Sequence, residues 1–548
     1  GVDVNNPDPL AAGIGAAGNG LVIIAASVDD SGVISDFSNR AGSSANLVLA
    51  ARGERICCEY RNGQIYTDSQ GFVYLMNGTS FSAPQVSGAV ALLAQAFPNL
   101  TGRQIVDLLF STATDAGATG TDNIYGQGIL DIAAAFAPQG ATSLAGTPVK
   151  LSLSDSTALL SPAMGDAGSA GTSSFSTVIT DGYGRAYGLD LGQSLGRTPR
   201  ADRLTPALAG RMRSVSAQNG DVRIALTLVP TREGVDVVQP LQLSLIDAER
   251  AKLLAGTIMA RVSPDTAFAI GLERGSDGLV AAVQGVRGEA FLVADAPSSQ
   301  FGFDRSGATA LAVRHTIGPW ALTASAEQGR VRAGDPVQDL LRDSENDRLR
   351  FVSIGLAADR HWNGVAATLA VTMLQEDQTL LGARLNPAFG PGGATSLFAD
   401  SRVAFDLNRD WRLAAAWRQG VTRPHGGGFM ASGATIFTNA FALDMARSDW
   451  FRPGDRFALR LSQPLRVSRG ALPFDLPIGY DYASGSAEFG RQTLNLAPRG
   501  REIATELAYS VALGAGTLTA NGFYRIQPGH FADAPDDVGL AFRFSLGF

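Results

Sequence analysis

Two patterns of apolar and polar positions divide the chain, and they change over near residue 140. Before it, apolar runs of buried-strand length alternate with helical stretches. Leu21-Val22-Ile23-Ile24-Ala25-Ala26 and Leu47-Val48-Leu49-Ala50-Ala51 read as strands buried on both faces. Ser82 to Phe97 is apolar or small on nearly every side, which predicts a helix in the middle of a domain, with Pro84 harmless in its first turn. Thr101 then caps a helix over Gly102 to Thr112, whose Ile105, Leu108 and Leu109 share a face. A short helix, Ile129 to Phe136, follows Tyr125-Gly126-Gln127-Gly128 and stops at Pro138. These elements predict an α/β domain over 1–139.

From about Gly140 the texture turns to Ser, Gly, Thr and Ala without helical period, and a β-rich connecting region is expected over 140–285. Beyond it the period is two. Val403, Phe405 and Leu407 alternate with Ala404 and Asp406; Trp411, Leu413, Ala415 and Trp417 alternate with Arg412, Ala414, Ala416 and Arg418. Eleven strands are predicted near 307–315, 319–328, 348–357, 364–374, 395–407, 411–419, 436–446, 455–465, 502–513, 516–525 and 538–548. A twelfth near 286–294 would bring both chain ends to one side. The connections alternate between tight turns and long loops, the arrangement of outer-membrane barrels. An antiparallel, about twelve-stranded β-barrel is therefore expected over 286–548, with Leu540, Phe542, Phe544, Leu546 and Phe548 on its lipid face.

Composition narrows the partners. The 44 basic residues include only two lysines, Lys150 and Lys252, and the net charge is −7, which argues against nucleic acid. The two cysteines, Cys57 and Cys58, are neighbours, so they staple no distant parts together; a vicinal disulfide and a pair of thiols both remain open. No apolar run approaches the length of a membrane helix, and no signal peptide is recognisable. No acidic cluster within 1–138 has calcium-loop spacing, and no cofactor is implied.

The candidate chemistry sits at Ser80. It follows Gly78-Thr79 and opens the small-residue helix, where a first-turn N–H has no intrahelical acceptor and the helix dipole favours negative charge. Such a serine can attack a carbonyl and help hold the resulting oxyanion. Gly78-Thr79-Ser80-Phe81-Ser82-Ala83-Pro84-Gln85-Val86-Ser87-Gly88 resembles the serine motif of the subtilisin-like (subtilase) proteases. Asp36-Phe37-Ser38-Asn39 and Tyr125-Gly126-Gln127-Gly128 also look like segments of that family, as does Ala51-Arg52-Gly53, where Arg52 replaces the family's Pro.

The resemblance covers residues 1 to about 138 and implies a serine endopeptidase acting on polypeptides through an acyl-enzyme on Ser80. It also implies an Asp and a His preceding the serine. The four histidines, His315, His361, His425 and His530, all follow Ser80 and do not match, so the resemblance places Asp, His and the oxyanion Asn upstream of Gly1. Asn19, in Ala16-Ala17-Gly18-Asn19, is a weaker candidate for that Asn because it abuts the first strand directly. The expected whole is the C-terminal part of an autotransporter-type subtilase in a Gram-negative cell envelope, its barrel in the outer membrane. A barrel or surface-display protein with an inactive protease remnant, and a protease with a soluble accessory β domain, are the alternatives.

Overall fold

The computed structural model describes residues 4–57, 59–168, 175–197, 213–230, 251–286, 291–332, 349–390, 392–514 and 516–546. The chain divides into two compact units. The first comprises 1–153, 177–189 and 477–490, and the second the remainder.

In the first unit, helix α1 (Pro9–Ala17) precedes strand β1 (Ile24–Val28), which pairs in parallel with β2 (Val48–Arg52). Helices α2 (Thr79–Ala96), α3 (Gly102–Ser111) and α4 (Ile132–Phe136) follow. The predicted strands and helices are all present within a few residues. Helix α1 was not expected, although Asp8 caps it through the Leu10 N–H and Pro9 occupies its first position. The core joins Leu49 and Ala51 of β2, Val86, Ala89 and Leu93 of α2, and Ile105, Leu108 and Leu109 of α3. Helix α2 is not buried all round, as its composition suggested. Ala83, Ser87, Gly88, Ala91 and Leu92 are exposed, and a side chain added at Gly88 would meet only open space.

Residues 177–189 join this unit because Arg185 is buried in it. Its guanidinium is paired with Asp181 (Nη2 to Oδ2, 2.7 Å) and donates to the carbonyls of Ala135 and Ala137 at the end of α4. The rings of Phe97, Tyr183 and Tyr187 surround it. The first unit is thus larger than the segment ending at 139.

The second unit is built on one antiparallel sheet of fifteen strands. In chain order they are β3 (Arg213–Asn219), β4 (Val222–Pro230), β5 (Ala251–Ser263), β6 (Thr266–Leu272), β7 (Asp304–Ile317), β8 (Trp320–Arg332), β9 (Arg350–Trp362), β10 (Val365–Glu376), β11 (Ala394–Asp406), β12 (Trp411–Pro424), β13 (Ile436–Ser448) and β14 (Arg456–Arg469). A hairpin outside the sheet, β15 (Ala471–Asp481) and β16 (Ser486–Asn495), precedes β17 (Ile503–Leu513), β18 (Gly516–Ile526) and β19 (Asp537–Leu546).

The eleven strands predicted from 307 onward form; of the strand predicted near 286–294, residues 287–290 lie outside the described residues, and the described ones, 286 and 291–294, are not in a strand. Helix α5 (Ser276–Val283) precedes that stretch, and the N–H groups of Leu292, Val293 and Ala294 are bound by the carboxylate of Glu506 on β17 rather than by a ladder (2.6–2.9 Å). Strand β6 pairs with β7 in its place. Together with β3, β4 and β5 this gives fifteen strands where twelve were expected, and starts the sheet well before residue 286.

Residues 276–286 and 291–303 pack against one face of this sheet. Ser276 donates to Glu327 of β8, Ala294 accepts from Arg460 of β14, and Gln300 accepts from Arg418 of β12. Phe301 packs against Phe351 of β9 and Phe398 of β11. One short segment touches so many strands because the sheet curls around it. A cavity of about 240 Å³ remains between the segment and β8 to β14.

Candidate active site

The carboxyl ends of β1 and β2 form a platform for the start of α2. The Gly53 N–H donates to Val28 at the end of β1 (3.0 Å), and the Gly53 carbonyl accepts from the Gly78 N–H (2.8 Å). A side chain at Gly53 would sit 2.3 Å from Ser27 Oγ, 2.5 Å from Ser82 Oγ and 2.8 Å from the Gly78 carbonyl. Only glycine allows that approach. Ser82 donates from its hydroxyl to the Ala51 carbonyl (2.9 Å), and Gln85 Nε2 to that of Arg52, which ties the first turn of α2 to β2.

Beneath this platform is a layer of buried hydroxyls. Ser38, in the Asp36-Phe37-Ser38-Asn39 turn, accepts from the Ser27 N–H (2.9 Å), and Ser27 Oγ is 2.8 Å from Ser35 Oγ. On the outer side, Asn77 Oδ1 accepts from the Arg55 N–H (2.7 Å) and fixes the strand-to-helix turn. Gly78 precedes α2 at φ +155°. Sequence reading missed the supporting role of Ser27, Ser35, Ser38 and Asn77; it singled out Ala51-Arg52-Gly53 only for its resemblance to a family segment.

Ser80 is the second residue of α2 and is exposed. Among the described residues its hydroxyl has no hydrogen-bond partner. Its N–H, in the first helical turn, has no intrahelical acceptor. The hydroxyl therefore faces solvent at the positive end of an 18-residue helix, at the carboxyl edge of parallel strands.

Asn19 is placed elsewhere. It follows α1 with φ +54°, and its carbonyl accepts from Arg103 in the first turn of α3 (3.0 Å). That is the amino end of β1, where Gly102 lies beside Leu21. Ser80 opens α2 beside the strands' other end, where Gly53 bridges Val28 and Gly78. The histidines all lie in the second unit. His315 contacts Thr266, His361 lies 3.7 Å from Asp359, His425 contacts Thr395, and His530 is buried beside Glu502. The unit that carries Ser80 contains no imidazole.

Cys57 is disulfide-bonded, which favours the oxidised reading of the pair; Cys58 lies outside the described residues. No group of three or more metal-ligating side chains occurs among the described residues.

Residues 4–128 match the family model for the subtilase family (peptidase S8). The N-terminal part of the chain is a subtilase-family domain. The subtilase domain is 36% identical over 116 residues to serotype-specific antigen 1 of Mannheimia haemolytica, a match spanning 20% of this chain and 12% of that protein. It is 38% identical over 118 residues to mycosin-1 of Mycolicibacterium smegmatis, spanning 21% of this chain and 25% of the relative. Over 54 residues, 10% of this chain and 5% of the relative, it is 48% identical to the autotransporter lipoprotein NalP of Neisseria meningitidis. A crystal structure of MycP1 matches at 36% identity over 22% of this chain and 38% of that one, with a TM-score of 0.19. The chain spans about an eighth to a quarter of the first two curated relatives, so the subtilase domain here corresponds to part of theirs.

Proposed function

We propose that the chain supplies the nucleophile of a subtilisin-like serine endopeptidase, carried on an outer-membrane barrel of the autotransporter type. The observation that carries the first half is Ser80, a solvent-facing hydroxyl on the first turn of α2, inside a segment that matches the subtilase family. Ser80 Oγ would attack the peptide carbonyl, its own N–H would hold the oxyanion, and the acyl-enzyme would then be hydrolysed. Because the unit carrying Ser80 has no His, the reading takes base, carboxylate and oxyanion Asn from sequence upstream of Gly1, in the family's order of Asp, His and Ser. The 548 residues alone should then show little peptidase activity.

The second half rests on an inversion of polarity in the sheet. Outward positions are apolar and open, as in Val352, Ile354 and Leu356 of β9, Leu369, Val371 and Met373 of β10, and Leu540, Phe542 and Phe544 of β19, the last three 54–74% exposed. Inward positions carry ion pairs: Arg314 with Asp359, Arg418 with Asp400, and Arg460 with Asp444. Water would favour the reverse, whereas lipid outside and a polar lumen within favour this. Kinship with an autotransporter lipoprotein supports the same reading and a Gram-negative cell envelope.

A fluorophosphonate probe tests the enzyme. It should label the upstream-extended protein, and Ser80→Ala should abolish labelling. No labelling of the extended protein would favour an inactive remnant on a barrel, and labelling that survives the substitution would reject Ser80.

A further inference from the structure

The tight turns of the sheet all lie on one rim: 220–221, 264–265, 318–319, 363–364, 407–410, 449–455 and 514–515. Four of the chain's five tryptophans, Trp320, Trp362, Trp411 and Trp450, stand at or beside four of these turns and the adjoining strand ends. They form two similar arrangements. Arg360 lies with its Cζ 5.4 Å from the Trp320 ring and 5.6 Å from that of Trp362; Arg447 lies 5.2 Å from Trp411 and 5.1 Å from Trp450. Both arginines share the outward face. Arg360 is in line with Ile354 and Leu356 and pairs in register with Trp320, while Arg447 is in line with Leu443 and pairs with Trp411.

These two guanidiniums differ from the inward ones. Arg314, Arg418 and Arg460 each hold a carboxylate at 2.7–2.8 Å. Arg360 and Arg447 have neither carboxylate nor hydrogen-bond partner among the described residues, and each Nε is buried without an acceptor. A guanidinium left unpaired on an apolar surface is costly unless an anion reaches it. Flanking indoles hold the cation by its faces and leave its edge as the donor, which suits the tetrahedral oxyanion of a phosphate. At the short-turn rim of a membrane barrel the anion on that surface is the headgroup of the periplasmic leaflet.

Resting on the membrane reading above, we infer that Arg360 with Trp320 and Trp362, and Arg447 with Trp411 and Trp450, are two phospholipid sites, each binding the phosphodiester of one lipid. Their strands are four steps apart, about 19 Å along the sheet, so the sites are separate. Chains of the bound lipids would lie along Leu356 and Leu443.

The full chain, refolded in bilayers of dioleoylphosphatidylglycerol and extracted in mild detergent, tests this by native mass spectrometry. The protein should retain two phosphatidylglycerols, Arg360→Gln and Arg447→Gln one each, and the double variant none, a loss of roughly fivefold or more in affinity at each site. Dioleoylglycerol should not be retained, and millimolar inorganic phosphate should not displace the lipid; displacement would make these free-phosphate sites instead. Arg543→Gln, on the opposite face of β19, should keep both lipids. Equal retention by the parent and the double variant, both with heat-modifiable mobility, would overturn the lipid sites while leaving the barrel intact. Failure of the parent chain to enter bilayers would instead overturn the membrane reading.

Discussion

At Gly53 the backbone of β2 comes within van der Waals reach of Ser27, Ser82 and the turn before Ser80, so a single methyl group has nowhere to go. Gly53→Ala should destabilise the first unit by about 1–3 kcal/mol and lower probe labelling of the extended protein more than labelling by an exposed change such as Gly88→Ala. The Tyr125-Gly126-Gln127-Gly128 turn obeys the same logic. Both glycines have positive φ, and a Cβ on Gly126 would lie 2.5 Å from the Val48 carbonyl. Asp122 organises that turn. Burial works to raise its pKa, yet the N–H groups of Tyr125, Ile124 and Ala118 hold it below the usual carboxylate range. Ser80 and these glycines were legible in the sequence because each occupies a position that few residue types can fill. The serine layer under Gly53 was not, because Ser27, Ser35 and Ser38 become a cluster only when β1 and the turn after it meet.

Among the elements, those with a strong period were the easiest to read. Strands β7 to β14 and β17 to β19 carry an alternation that survives without tertiary information, and helix α3 carries a cap and an apolar face. Residues 177–189 carry neither; their place is set by Arg185, which reaches the carbonyls of Ala135 and Ala137 and the ring of Phe97, each 48 or more residues away in sequence. Arg185→Met should leave the buried Asp181 uncompensated and cost about 3–5 kcal/mol of first-unit stability, measured by chemical denaturation. The loop between β18 and β19 depends on a buried imidazole. The Glu502 N–H donates to His530 Nδ1 (2.9 Å), so Nε2 carries the proton toward the Leu465 carbonyl (3.2 Å). Burial pushes His530 down from 6.5 to about 4, against the opposing pull of Glu502. Between those values the unfolded chain binds a proton that the folded loop does not. The contribution is therefore complete above pH 6.5 and lost as pH falls toward 4, on the order of 3 kcal/mol in total. Urea midpoints measured across this window should fall with pH in the parent chain and flatten in His530→Gln.

For the molecule as a whole, turn lengths were the most informative part of the sequence. They located both rims of the sheet from residue 307 onward, but they missed the first four strands, whose hairpins lie beyond a segment that looked extended and whose residues 292–294 are instead held by the side chains of Glu506 and Arg460. Phe544 tests the outward face. Phe544→Arg should cost about 2–4 kcal/mol in bilayer refolding, while Arg543→Gln should cost little; equal tolerance would rule out a lipid-facing Phe544. Glu506 would give the proposed barrel a further property. With 292–294 on its carboxylate and Arg460 and Arg418 on the carbonyls of Ala294 and Gln300, side chains of the sheet hold this segment in place, and in the proposed barrel it would obstruct the passage. On the proposed barrel reading such a protein is, electrically, a closed conduit with a removable stopper: planar bilayers containing it should carry little current, and Glu506→Ala should turn that quiet baseline into flickering ionic conductance.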